Sequence, residues 1–119
     1  MVSKEAIDAA LSAHSLWKKR LQDAVSTGQS EFKADAVKRD NTCQFGQWLY
    51  SLHGDDAKSE DYQKVKVLHA DFHSIAGDIL ALALSGKKDE ALMKLGTGGT
   101  YGSATGKLVL ALQAWKEKL

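Results

Sequence analysis

Residues 59–85 read SEDYQKVKVLHADFHSIAGDILALALS, and this stretch decides the fold. Tyr62, Val65, His69, Phe72, Ala76, Ile79 and Ala83 recur at steps of three and four, with His73 and Leu80 alongside. That period belongs to a helix with one face turned to a core. Gly86 is one of the glycines that separate the periodic segments, so one long helix is expected from about Ser59 to Ser85. Gly77 lies inside it at a cost of roughly 1 kcal/mol against alanine, which points to a neighbour in close approach.

The same period extends outward. Ile7, Ala10, Leu11, His14, Trp17 and Leu21 predict a first helix from about Ser3, a capping residue, to Ser26, with Thr27-Gly28 at its end. A short helical piece is expected around Glu31 to Val37. Asp40-Asn41 offers a cap for a helix burying Phe45, Trp48, Leu49 and Leu52, with Cys43 in its first turn, and Gly54-Asp55-Asp56 reads as a turn. Lys88 to Leu95 predicts another short helix. The loop Gly96-Thr97-Gly98-Gly99-Thr100 then leads into a last helix burying Leu108, Leu112 and Trp115. That loop lacks the GK[ST] of a phosphate loop. Trp17, Trp48 and Trp115 read as core anchors. No strand alternation is sustained, so the expected fold is all-α: an antiparallel four-helix bundle with one or two additional short helices.

The chain of 119 residues fits one domain spanning 1–119. With 44% hydrophobic and 26% charged residues and a formal charge of +1, nothing favours nucleic acid or a polyanionic partner. No run of 18 apolar residues and no signal-peptide core at Met1-Val2-Ser3-Lys4-Glu5 is visible, so no membrane partner is expected. One cysteine allows no internal disulfide, which suits a cytoplasmic location.

The chemistry rests on three of the four histidines and the cysteine. His69 and His73, four apart on one helix, share a face and can reach a common point. His14 lies on the apolar stripe of the first helix rather than on its charged face. Cys43 is expected near a helix N-terminus, where unpaired N–H groups favour thiolate. Each histidine alone reads more often as a packed core residue, and a lone cysteine as a small hydrophobe. Together they lie on inward stripes, where unpartnered polar groups are costly and one shared metal would satisfy them all. Three imidazoles and a thiolate fill a tetrahedral zinc shell; no carboxylate set suits Mg²⁺ or Ca²⁺. His53 is read as surface, and Asp40 and Asp71 as candidate acceptors for imidazole N–H groups.

These pieces resemble the chemoreceptor zinc-binding family. The matching segments are His14-Ser15-Leu16-Trp17-Lys18, Cys43-Gln44-Phe45-Gly46-Gln47-Trp48-Leu49, and His69-Ala70-Asp71-Phe72-His73 followed by Ala76-Gly77. Gly98-Gly99-Thr100-Tyr101 and Trp115-Lys116 add to them. The resemblance implies a helical bundle with a 3-His/1-Cys zinc site at His14, Cys43, His69 and His73. It also implies homodimerisation, a place on bacterial chemoreceptors or diguanylate cyclases, and sensing of zinc or of oxidants such as hypochlorous acid. Where the family often carries serines after the tyrosine, this chain has Gly102-Ser103-Ala104-Thr105.

Enzymatic function is not expected. Four protein ligands close the shell that a catalytic zinc keeps open, and no HExxH is present to supply a base for a zinc hydrolase. An iron bundle would need paired Glu-x-x-His, which the chain lacks. The remaining alternative is a helical interaction module whose histidines only pack, and metal stoichiometry separates the two.

Overall fold

The computed structural model describes residues 3–41, 43–96 and 98–119. Met1 and Val2, and Thr97 of the expected glycine-rich loop, lie outside the described residues. The helices run α1 (Lys4–Thr27), α2 (Ala34–Val37), α3 (Gln44–Ser51), α4 (Asp55–Lys58), α5 (Glu60–Leu84), α6 (Lys88–Leu95) and α7 (Thr100–Glu117). No strand occurs among the described residues, and the expected all-α helical bundle is present.

Local sequence sets the ends of the two long helices. The Ser3 hydroxyl accepts from the Ala6 N–H at 3.2 Å, and Ser59 accepts from Tyr62 N–H at 3.1 Å. Each satisfies one of the first-turn donors that a helix leaves unpaired. Glu60 and Asp61 add negative charge where the α5 dipole is positive. Gly28 ends α1 at φ 72°, donating its N–H to Ala24 at 2.8 Å. That left-handed turn is open to glycine at little cost.

The pairs of residues that meet give the helix directions. His14 meets His69 and Trp17 meets His73, so α1 and α5 run the same way. Phe72 meets Tyr101 and Tyr62 meets Trp115, so α7 returns along α5. Val37, Phe45 and Leu49 meet His73, His69 and Tyr62 in that order, so the α2–α3 stretch also runs against α5. The core between them holds Ile7, Leu21, Leu49, Val65, Phe72, Ile79, Leu80, Leu108 and Leu112, all fully buried. Each such side chain contributes about 1.5–3 kcal/mol through burial. All nine stripe residues expected on α5 are buried.

Two expectations need correction. Gly54-Asp55-Asp56 does not form a free turn: Asp55 and Asp56 open the single-turn helix α4. Asp40-Asn41 does not cap α3 either; Cys43 itself is the capping residue. Partial exposure of Leu11 and Trp48 moderates the stripe reading, although both still pack against the core.

By length and composition α5 is apolar enough to cross a bilayer. The unbroken-run criterion passes over it because His69, Asp71, His73 and Asp78 interrupt the apolar residues. Here α5 is the central helix of the bundle, packed against α1, α2, α6 and α7.

Gly77 meets the neighbour that its position implied. A Cβ there would overlap the Lys38 side chain and lie 3.1 Å from both Ala34 O and Lys38 N. The missing side chain thus lets the α2 backbone lie directly on α5.

Candidate metal centre

His14 comes from the inward face of α1. Its Nδ1–H donates to the Ala10 carbonyl, one turn earlier, at 2.7 Å. A carbonyl can only accept, so the proton sits on Nδ1 and the Nε2 lone pair is free. That Nε2 is buried with no hydrogen-bond partner among the described residues. His73 is held the same way from another element: its Nδ1–H donates to Val37 O of α2 at 2.8 Å.

His69 and His73 share the inner face of α5, with their Nε2 atoms 3.1 Å apart. Cys43 Sγ lies 3.4 Å from His69 Nε2 and 3.5 Å from His73 Nε2. As the α3 cap, it also accepts from Gly46 N–H at 3.2 Å. One donor atom from each of His14, Cys43, His69 and His73 falls within 4.8 Å of the other three. The three imidazoles are essentially buried and the cysteine partly so. Phe45 and Phe72 pack edge-on against the rings and close the apolar surround.

The donor set fits a zinc ion. Bonds of about 2.0–2.1 Å to nitrogen and 2.3 Å to sulfur give tetrahedral edges of about 3.3–3.6 Å. The separations of Cys43 Sγ from His69 and His73 Nε2, 3.4 and 3.5 Å, match that shell, and the 3.1 Å between the two Nε2 atoms is slightly shorter. The orphaned His14 Nε2 could supply the fourth ligand atom. Imidazole and thiolate suit zinc, whereas calcium and magnesium require oxygen.

Electrostatics keep the rings neutral. Burial lowers the His14 pKa to about 4, with the Ala10 carbonyl opposing and His73 adding to the fall. Burial lowers His69 to about 2, helped by His73 and His14. Burial lowers His73 as well, against the Val37 carbonyl and the Asp40 charge. Neutral imidazole is the ligating form. For Cys43, burial pushes the thiol pKa up and outweighs the N–H groups of Gly46 and Phe45. Desolvation therefore outweighs the expected thiolate bias of the helix terminus, and a bound cation would act against it.

These depressed histidines carry a stability consequence for metal-free protein. Unfolded histidine takes up a proton near pH 6.5, whereas folded His14 and His69 resist until about 4 and about 2. The unfolded state therefore binds more protons in this window, and stability is lost as the pH is lowered. Urea midpoints of zinc-free protein should drop steadily from pH 6.5 toward pH 4; a flat profile would show that the rings are not buried neutral.

The acceptors that orient the rings are not those expected. Asp40 accepts instead from the Tyr50 hydroxyl, at 3.1 and 2.9 Å, and Asp71 is exposed. The carbonyls of Ala10 and Val37 take that role. Ala10 stands four residues before His14, a spacing that allows a helical histidine to reach back to the preceding turn. Gly46, expected only as part of the cysteine segment, is the donor to the capping sulfur, three residues after it, where a cap finds its N–H. His53 is exposed, as expected.

The family model of the chemoreceptor zinc-binding domain matches residues 14–80. No curated protein and no solved structure matches the chain. The matched stretch is more than half of the sequence, opens at His14 and spans Cys43, His69 and His73. The chain belongs to the chemoreceptor zinc-binding domain family.

Proposed function

We propose that this chain is a zinc-binding sensory domain of bacterial signalling, with His14, Cys43, His69 and His73 as its zinc ligands. The observation that carries the reading is the convergence of four buried or half-buried donor atoms within 4.8 Å from α1, the α3 cap and α5. A bound zinc ion would keep Cys43 as thiolate and tie these three helices together. Four ligands leave no position for a reactive water, which supports regulation rather than catalysis. Metal analysis of purified protein should find one zinc per chain. Zero would favour a helical interaction module instead.

Two inputs act on the same four atoms: zinc availability, and oxidation of Cys43. With hypochlorous acid, the thiolate sulfur bonds to the oxygen and chloride leaves with the electron pair of the O–Cl bond, giving sulfenic acid. The oxidised sulfur is a poorer ligand, and His14, His69 and His73 alone then hold the site. The reading includes a cytoplasmic homodimer coupled to a chemoreceptor or diguanylate cyclase.

Cys43→Ala tests the oxidant arm. The variant should retain its helical circular dichroism and lose any oxidant-driven change in zinc content. An unchanged response without the sulfur would eliminate Cys43 as the switch.

A further inference from the structure

The geometry points to a cation-rimmed cavity that admits small anionic electrophiles to the sulfur of Cys43. A cavity of about 330 Å³ lies between α1 and the α2–α3 stretch, and both Cys43 and His14 line it. His14, only 4% exposed, has the unpartnered Nε2 described above. His73 lines it too, so the cavity leads from the surface to three of the four site residues. Trp17, Phe32 and Phe45 give it apolar walls.

Its charge is one-sided. Arg20 and Lys33 line it, and among the described residues no carboxylate does. The Arg20 guanidinium lies 4.9 Å from the ring centroids of both Trp17 and Phe32, so the charge is held against the walls rather than free in solvent. Asp40 acts on Cys43 through space, but its carboxylate is engaged by Tyr50 and is not part of the lining. A small anion with an apolar or polarisable body matches these walls and this rim. Cationic reagents are disfavoured by the same field. The inference rests on the metal-site reading only in taking Cys43 as a zinc-bound thiolate.

Iodoacetate and iodoacetamide provide the test, being alike in size and differing in charge. In both reactions sulfur bonds to the methylene carbon and iodide leaves with the electron pair of the C–I bond. Alkylation rates are measured on zinc-loaded protein and divided by those of free glutathione, with zinc content followed in parallel. The normalised iodoacetate-to-iodoacetamide ratio should exceed one. It should fall about fivefold in the Arg20→Gln/Lys33→Gln double variant, the size expected of partly screened charges. Arg20→Lys should preserve it.

Ala13→Leu narrows the cavity from the α1 side, so both reagents should slow by about tenfold with their ratio kept. A ratio unmoved by losing both cations would overturn the charge selection. Unchanged rates in Ala13→Leu would show that the sulfur is reached by local opening and not through this cavity. Protein that binds no zinc would sink the metal reading alone, since the reagent ratio is still measurable on the free thiol.

Discussion

Zinc held at 100-fold over its dissociation constant should raise the melting temperature by about 10 °C, and His69→Ala should abolish the rise. Such an excess stabilises the bound state by about 2.7 kcal/mol, and about 4 °C per kcal/mol is reasonable for a chain of this size. His69 is the informative position because it is wholly buried and its Nε2 lies against both His73 Nε2 and Cys43 Sγ. One ligand of four is worth about 3 kcal/mol of a structural zinc site, so affinity should fall roughly 100-fold or more. The zinc-free variant has the opposite character. His69 leaves Nδ1 buried without a partner among the described residues, so removing the ring also removes an unsatisfied polar group. Melting of zinc-free His69→Ala should therefore stay within a few degrees of the zinc-free parent. Calorimetry with and without chelator checks both halves, and a zinc-dependent rise surviving in the variant would remove His69 from the ligand set.

Gly46→Ala should be the most damaging single-methyl change near the site. A Cβ at Gly46 would overlap the Asp40 carbonyl oxygen and meet Asn41 Cα at 3.1 Å. These are backbone atoms, so no rotamer change relieves the clash; either the chain before Cys43 or the start of α3 must move. The Gly46 N–H is also the donor to Cys43 Sγ. Overpacking of this kind costs about 1–3 kcal/mol. Because the shift acts on the segment carrying the sulfur, zinc affinity should fall roughly 10- to 100-fold. Gly106→Ala is the control: its Cβ meets nothing within 4 Å on the exposed side of α7, and it should stabilise by up to about 1 kcal/mol. Zinc titration and urea unfolding of both variants decide the matter. Wild-type affinity in Gly46→Ala would show that the α3 cap does not position the sulfur.

Helical periodicity made the fold readable. The stripe from Tyr62 to Ala83, the Ser3 cap and the α6 bounds all depend on local chemistry, and the structure reproduces them. The four site residues were legible because each is a polar side chain on an apolar face, an anomaly visible in one dimension. What stayed hidden depends on where separate segments meet. No local signal distinguishes Cys43 from Asp40 or Asn41 as the cap, since all can precede a helix, and sulfur is a weaker acceptor than oxygen. Val37 offers its carbonyl to His73 across 36 positions of sequence, which no spacing rule anticipates. The Cys43 environment was misjudged for a related reason: the helix terminus is local, whereas the burial that outweighs it comes from α1 and α5.

None of the four donors comes from α6 or α7, yet α7 packs along much of α5 and is pinned beside the beginnings of α1 and α5 by Lys116–Asp8 at 2.7 Å and Lys118–Asp61 at 2.9 Å. The α2–α3 stretch lies on another side of α5, held by the core side chains Val37, Phe45 and Leu49 and by the contacts of Cys43 and the Val37 carbonyl with the site. Losing the sulfur contact alone would leave the packing of α5 against α7 untouched, since Cys43 takes no part in it.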